Sequence, residues 1–256
     1  MDKCQLQAHR GVSTDCPENT MAAFRAAVEQ GYDIIELDPK FTADNRCVIL
    51  HDRTLNRTGR LPDGSQLSEP VAIASLTYEE ARGYDVGLWF GEEFRGEKMP
   101  SLEEVLAFAC ENNIPLKLDN VWTSFTEEQK EIFFTVVRQS GAAHLAGFTS
   151  AKVEDLLLAA EKFPESPLHY DGLVTEEILA ELRRQLPGRD LTAWLRYDNA
   201  ATAWNKNPPA TEETSAMVKQ YAKLGLWILS QQKEYEKSSD IFHADVIETT
   251  GSVKPC

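Results

Sequence analysis

Short extended runs and amphipathic helical runs alternate along most of this 256-residue chain, and this alternation restricts its fold more than any other feature. The strand-like runs lie at residues 5–8, 33–37, 114–119, 143–148, 167–170, 191–195, 224–229 and 245–248. Helical runs lie between them at residues 19–30, 101–112, 127–139, 152–162, 175–185, 212–223 and 233–242. Repeated βα units of this number predict an α/β fold, the closed (β/α)8 TIM barrel. An open doubly wound sheet is the alternative, although the glycine-rich dinucleotide loop that often accompanies one is missing.

Residues 53–99 interrupt the alternation with a stretch rich in glycine, proline and charge. We therefore predict a single domain over residues 1–256, with an insertion subdomain at about 53–99, after the second strand. Trp89, Phe90 and Phe94 either wall a substrate pocket at the barrel mouth or form the small core of the insertion. The first interpretation makes the insertion the part of the molecule that selects the substrate.

Side chains capable of chemistry stand where the predicted strands end. His9 follows the first strand, and Asp119 ends the third. Glu36 and Asp38 are two residues apart on the second strand, so both point to the same face. Because functional residues of such barrels lie at the C-terminal ends of the strands, we expect these four side chains to share one site.

The second strand leads into a predicted hairpin. Residues 42–46 are typical of a turn and lie between two extended runs. Folding the chain about Asp44 and Asn45 places His51 opposite Asp38. The sequence therefore predicts a carboxylate pair with a histidine beside it.

A net charge of −15 argues against non-specific binding to nucleic acid or anionic membranes, because phosphates would be repelled at long range. A phosphate-bearing substrate would then need a local cation, either a metal ion or arginine. No apolar run approaches the ~20 residues of a membrane span, and the first residues do not resemble a secretory signal. The five cysteines show no C-x-x-C spacing. We expect a cytoplasmic protein without stable membrane association, and the oligomeric state stays open.

Several motifs in a fixed order resemble one known family. H-R-G at 9–11, P-E-N-T at 17–20, E-L-D at 36–38 and H-D at 51–52 are similar to the signature of the glycerophosphodiester phosphodiesterase family. The likeness is good over roughly the first 120 residues and continues afterwards only by pattern. It implies a hydrolase of lipid and glycerol metabolism that splits small glycerophosphodiesters into an alcohol and glycerol phosphate. It also implies a divalent metal, Mg²⁺ or Ca²⁺.

Glu36, Asp38 and Asp119 are the expected metal ligands. Three carboxylates held together raise each other's pKa. A hard divalent cation with oxygen ligands removes that cost and leaves positions for phosphate oxygens. The alternative is an ion-pair network with Arg10 and Lys117.

The third strand departs from the family pattern, in which a stretch resembling L-N-I-E-I-K supplies a glutamate and a lysine. This chain has L-K-L-D-N-V at 116–121. Aligned on the leading leucine, Asp119 replaces the glutamate and Val121 the lysine. Shifted by two residues, Lys117 replaces the glutamate and Asp119 the lysine. We prefer the first alignment because it keeps an acidic ligand, and in both Lys117 faces the site as a substrate-binding cation.

The resemblance assigns acid–base roles to His9 and His51. One histidine takes a proton from the attacking hydroxyl and the other protonates the leaving alcohol, and the order of the two stays open. Arg10 is expected to bind phosphate; its alternative is a salt bridge to Glu18 or Asp52. Glu18 would orient Arg10 or a histidine, or simply stabilise the start of a helix. Asp52 would orient a histidine or cap a turn.

The later strands depart from the family further. The family often shows W-T-V-N near the last strands and then T-D-x-P. Here we read I-L-S-Q at 228–231 and I-E-T-T-G at 247–251, so the tryptophan and the aspartate are missing. We expect the far side of the pocket to differ, with contributions from Trp194, from Arg196 as a substrate-binding residue, and from the loop at 204–209.

Two other functions stay open. A phospholipase D-like barrel that acts on a lysophospholipid keeps the same pattern of histidines and carboxylates. A degenerate barrel would bind a phosphodiester without cleaving it. The altered third and seventh strands support the degenerate barrel, and the intact His9, Arg10 and His51 argue against it.

Overall fold

The structure is a computed structural model that describes residues 4–197, 207 and 209–255. The strands are β1 (Gln5–Ala8), β2 (Ile34–Leu37), β3 (Pro39–Phe41), β4 (Cys47–Ile49), β5 (Leu116–Leu118), β6 (Ala146–Ser150), β7 (Leu168–Tyr170), β8 (Leu191–Arg196), β9 (Lys223–Leu229) and β10 (Val246–Thr249). The α-helices are α1 (Met21–Glu29), α2 (Tyr78–Arg82), α3 (Leu102–Asn112), α4 (Glu127–Gln139), α5 (Val153–Lys162), α6 (Glu176–Gln185), α7 (Glu212–Val218) and α8 (Gln232–Asp240).

The strands other than β3 and β4 close into a parallel barrel, in the order β1-β10-β9-β8-β7-β6-β5-β2. Helices connect consecutive barrel strands, as parallel pairing requires, and cover the outside of the barrel. The predicted (β/α)8 fold is confirmed, and the open doubly wound sheet is wrong. The order also places β7 directly across the barrel from β1.

Element boundaries differ from the predicted ones by a few residues, for local reasons. α1 begins at Met21 because Thr20 is its N-cap, whose side chain accepts a hydrogen bond from the Ala23 amide. β6 begins at Ala146 because Ala143–Leu145 form a short 3-10 turn. α7 ends at Val218, well before the predicted residue 223.

The predicted hairpin is present as the antiparallel pair β3 and β4, outside the barrel sheet. Its register differs from the predicted one by a residue: Leu50, and not His51, donates its amide to the Asp38 carbonyl at 2.9 Å. The turn sets this register, since the Thr42 amide donates to the Arg46 carbonyl and the Thr42 hydroxyl accepts from the Arg46 amide, both at 3.0 Å. Asn45 adopts φ +56°, a left-handed conformation that asparagine tolerates.

The insertion packs against this hairpin. A buried cluster separate from the main core joins β4 and its end to the insertion, through Val48, Leu50, Leu55, Ile73, Ala81, Val86 and Met99. Burial of these side chains fixes the insertion beside the barrel mouth, where His51 leaves the hairpin.

Two glycines make room for large side chains inside the barrel. A Cβ at Gly225 would lie 2.5 Å from the Trp194 ring, and one at Gly147 would lie 2.4 Å from His169 Nε2. Trp194 and His169 are both buried there. Glycine at these two positions therefore lets an aromatic and a polar ring fill the interior.

Candidate active site

A cavity of about 420 Å³ opens at the C-terminal end of the barrel. Seven of the side chains predicted from the sequence line it together: His9, Arg10, Glu36, Asp38, His51, Lys117 and Asp119. The described lining also includes Asn120, Asp171, Trp194, Trp227, Ile228 and Glu248.

The turn after β1 aims its residues at the carboxylates of β2. Arg10 and Gly11 adopt φ +58° and +78°, and a Cβ at Gly11 would lie 2.6 Å from the Ala23 side chain. The Arg10 amide donates to Glu36 Oε2 at 3.0 Å. Its guanidinium lies 3.5 Å from Asp38 Oδ2, so one residue contacts both carboxylates of the E-L-D motif.

Asp38 is held as an anion. Its Oδ2 accepts a hydrogen bond from Asn19 Nδ2 at 2.8 Å. Burial alone would raise the pKa of Asp38, but the positive charges of Arg10 and Lys40 bring it below its usual range. Asn19, in the P-E-N-T motif, was not predicted as a site residue, although its motif position was the available signal.

Glu36 and Asp119, unlike Asp38, have pKa values above their usual ranges. Burial, followed by the negative charges of Asp38 and Glu248, raises the pKa of Glu36 well above its usual value. Burial and the charge of Asp38 raise the pKa of Asp119 to about 7. Both carboxylates would gain from a further positive charge in the cavity.

This donor set fits a hard divalent cation in its chemistry, because Glu36, Asp38 and Asp119 offer only carboxylate oxygens. Within residues 4–197, 207 and 209–255, no three histidine, cysteine or carboxylate side chains are already grouped for coordination. Binding would therefore require some of these carboxylates to turn toward the ion.

A buried layer forms the floor of the cavity. Lys117 Nζ donates to Glu248 Oε2 at 3.0 Å and lies 4.2 Å from the centre of the Trp194 ring. Glu248 also accepts from Gln7, and the Trp194 indole donates to His169 Nδ1 at 3.3 Å. Burial alone would lower the pKa of Lys117, but Glu248 and Glu36 raise it, so the ammonium stays charged. β5 pairs Lys117 with Glu36, which sets this cation beside the carboxylates.

The two candidate histidines have different surroundings. His9 Nε2 lies 3.9 Å from Glu36 Oε2, and its side chain is 16% exposed. Burial lowers the pKa of His9 to about 4, which keeps the imidazole neutral near pH 7. His51 is 41% exposed, and its Nδ1 lies 2.6 Å from Asp52 Oδ1. A carboxylate only accepts at neutral pH, so Nδ1 carries the proton and Nε2 is the ring nitrogen left for proton transfer.

Glu18 does not line the described cavity, and it contacts the site through arginine. Its Oε1 accepts from Arg10 Nη1 at 3.0 Å. Arg57 donates to both Glu18 oxygens, at 2.7 and 2.8 Å. Burial alone would raise the pKa of Glu18, but the hydrogen bond from Arg57 lowers it, so Glu18 is an anion that orients arginine.

Three predicted substrate-binding residues do not line the described cavity. Trp89 donates from Nε1 to the Val86 carbonyl, and its ring packs edge-on against Phe90. Phe90 in turn packs against Phe94, so the aromatics of the insertion contact each other. All three are only partly buried and lie outside the buried cluster of the insertion, so they do not form its core either. Arg196 is buried at the end of β8. Most of the loop at 204–209 lies outside the described residues.

The expectation that the family's tryptophan is missing needs a correction. Trp227, directly before the I-L-S-Q stretch, lines the cavity. Asp171, across the barrel from His9, also lines it and accepts from Asn120 Nδ2 at 2.7 Å. Asp171 directly follows a predicted strand and was readable as a strand end, whereas Trp227 lies inside a strand and needed the register of β9 to turn it inward.

The fold and the cavity define a (β/α)8 barrel with histidines, carboxylates and an arginine gathered at its C-terminal mouth. The model of the glycerophosphoryl diester phosphodiesterase family matches residues 9–169. The chain belongs to that family, and the resemblance of its motifs is confirmed.

Relatives in this family match mainly the N-terminal part. A glycerophosphodiester phosphodiesterase of Caldanaerobacter subterraneus subsp. tengcongensis is 45% identical over 103 residues, 40% of this chain and 39% of the relative. One from Bacillus altitudinis is 39% identical over 118 residues, 44% of this chain and 45% of the relative. The chain thus spans less than half the length of these curated relatives.

Solved structures match the whole fold. A phosphodiesterase of Oleispira antarctica, solved with the product sn-glycerol-3-phosphate, superposes with a TM-score of 0.76 at 22% identity. The match covers 97% of this chain and 93% of that one. Of the helices that the structure describes, none has both the length and the apolar character of a transmembrane segment.

The buried floor gives a test of stability. Lys117→Met should cost about 3–5 kcal/mol in the free energy of unfolding, because Glu248 is left buried without its cation. Urea denaturation measures this loss. Lys223→Met is the matched control, since Lys223 forms an exposed pair with Asp190 and should cost about 0–1 kcal/mol. Equal losses in the two variants would contradict a structural role for the floor.

The raised pKa of Asp119 predicts how pH acts on stability without metal. The pKa of Asp119 is about 7 in the folded protein, which keeps its proton up to that pH, whereas the unfolded chain releases the proton near pH 3.8. Stability in chelator should therefore fall as pH rises from 6 to 8. Mg²⁺ or Ca²⁺ should bind on the order of tenfold more weakly at pH 6 than at pH 8, because at pH 6 the ion must displace the proton of Asp119.

Thermal unfolding with a metal titration at the two pH values measures both effects. Asp119→Asn is the control, since it removes the titrating group and should flatten the pH dependence. A wild-type protein that gains no thermal stability from either ion at pH 8 would exclude a metal site here.

Proposed function

We propose that the chain hydrolyses glycerophosphodiesters to an alcohol and glycerol phosphate. One observation carries the proposal: in a chain of this family, two imidazoles, an arginine and five carboxylates line a single cavity at the barrel mouth. The product complex of the Oleispira antarctica protein, which shares the fold, supports a small phosphate ester as the ligand. A cytoplasmic location stays a prediction.

Positive charge in the cavity would receive the phosphodiester. The Arg10 guanidinium is the group able to contact phosphoryl oxygens with two parallel hydrogen bonds. Lys117 adds a charged ammonium from the floor. Divalent metals are used generally in this family. A divalent cation held by Glu36, Asp38 and Asp119 would supply further positive charge where negative charge builds up on phosphorus-bound oxygens.

The reaction needs one group that accepts a proton and one that donates a proton, and the two histidines lie in different surroundings that suit these two roles. In the proposed first step, the glycerol hydroxyl next to the phosphoester attacks phosphorus, and neutral His9 takes its proton. The bond from phosphorus to the alcohol oxygen breaks, and His51, which enters this step as the imidazolium at the exposed side of the cavity, gives its Nε2 proton to that oxygen. Water then opens the cyclic phosphate as the histidines exchange roles. The low pKa of His9 supports its assignment as the base, an order that the sequence left open.

A substrate panel with and without chelator tests the proposal. We expect glycerophosphodiesters to release glycerol phosphate, a chelator to abolish turnover, and Mg²⁺ or Ca²⁺ to restore it. Release of choline from a lysophospholipid in preference to these substrates would favour the phospholipase D-like alternative. Binding of a glycerophosphodiester without any cleavage would favour the degenerate barrel. Full activity in excess chelator would point to Lys117 as the resident cation.

Histidine variants test the acid–base assignment. His9→Ala and His51→Ala should each lower kcat by about 10²–10⁴-fold, the usual contribution of positioned proton transfer. The double variant should lose less than the product of the two, because both histidines act in one reaction. His144→Ala, at an exposed position in a 3-10 turn, is the control and should keep wild-type kcat. If either single variant keeps wild-type kcat, that histidine does not transfer a proton.

A further inference from the structure

One arginine of the insertion contacts both loops that carry the acid–base and phosphate-binding side chains. Arg57 Nε donates to Asp52 Oδ2 at 2.7 Å, and Nη2 contacts Asp52 Oδ1 at 3.2 Å. The same guanidinium donates to the two Glu18 oxygens at 2.7 and 2.8 Å. These four contacts use a planar fork of donors that only arginine offers.

Each carboxylate that Arg57 holds touches a side chain of the site. Asp52 Oδ1 lies 2.6 Å from His51 Nδ1. Glu18 Oε1 accepts from Arg10 Nη1 at 3.0 Å. A continuous chain of hydrogen bonds therefore runs from the imidazole, through one guanidinium, to the arginine beside Asp38. Arg57 itself does not line the described cavity.

We propose that Arg57 is a positioning residue, which orients His51 through Asp52 and Arg10 through Glu18 at the same time. This inference rests on the proposed function for its catalytic consequence. Asp52 must keep one face toward the imidazole for His51 to present Nε2 to the substrate. The hydrogen bond from Arg57 also lowers the pKa of Asp52 to about 2, so the carboxylate stays an acceptor over the working pH range.

The position of Arg57 suits this role better than a role in stability. Its side chain is 42% exposed, and exposed ion pairs add little to folding. The insertion segment that bears it is fixed by the burial of Leu55 against the hairpin cluster. The insertion would thus act on the reaction through Arg57, which holds His51 of the hairpin and Arg10 of the barrel in the orientations that the reaction needs.

Arg57→Ala should lower kcat/KM for a glycerophosphodiester on the order of 10–100-fold, the usual cost of losing a group that orients a functional side chain. Thermal stability should stay near that of the wild type. Added guanidinium, below denaturing concentration, should restore part of the activity because the site is open to solvent. Methylammonium should not, since it lacks the fork, and Arg57→Lys should stay impaired for the same reason.

Arg95→Ala is the matched control. Arg95 also lies in the insertion, makes a two-point contact with Glu92 at 2.6 and 2.9 Å, and is 48% exposed. It contacts neither histidine loop nor Arg10. This variant should keep wild-type kcat/KM and should not respond to guanidinium. Unchanged activity in Arg57→Ala, or full activity in Arg57→Lys, would overturn the proposal.

Nitrogen-15 spectra of the imidazoles test the same device without a substrate. In the wild type the proton of His51 should sit on Nδ1, and in Arg57→Ala its signal should broaden or divide between two tautomers. Guanidinium should restore the single form. An unchanged His51 tautomer in Arg57→Ala overturns the inference even if no glycerophosphodiester is cleaved. Absence of cleavage by the wild type would instead count against the proposed function.

Discussion

The balance of charge inside the barrel mouth is the constraint on which the rest of the structure depends. Glu36, Asp38 and Asp119 are brought together by neighbouring strands, and burial makes their combined charge costly. The three carboxylates differ in how this cost is offset. Arg10 stabilises Asp38 as an anion, whereas Glu36 and Asp119 have raised pKa values. A further positive charge in the cavity would therefore stabilise Glu36 and Asp119 as anions, as Arg10 already does for Asp38.

At the floor of the cavity, a buried lysine offsets negative charge. Lys117 is paired with Glu248 and lies over the Trp194 ring, so its charge is satisfied within the protein. Since β5 sets Lys117 level with Glu36, this resident ammonium acts on the carboxylates above it. The lysine thus offsets part of the negative charge of this cluster, and the proposed metal would offset the rest.

The sequence predicted the barrel and the clustering of seven side chains because both follow from local pattern: alternation of elements, and polar residues at strand ends. It could not assign the pocket walls, since these depend on register and packing. Trp89 and Phe90 looked available for substrate but pack in the insertion. Trp227 was passed over because its orientation depends on the pairing of β9 with β8. Arg57 was not a candidate, because its four contacts include Glu18, which lies far from it in sequence.

The five-residue turn between β3 and β4 limits which insertions and deletions this protein can tolerate. Hydrogen bonds between Thr42 and Arg46 fix which residue lies opposite Asp38. Adding or removing one residue there would exchange the two faces of the returning strand and turn Leu50 where His51 now points. The length of this turn is therefore tied to the chemistry of the mouth, and so is the side chain of Thr42, which holds the register.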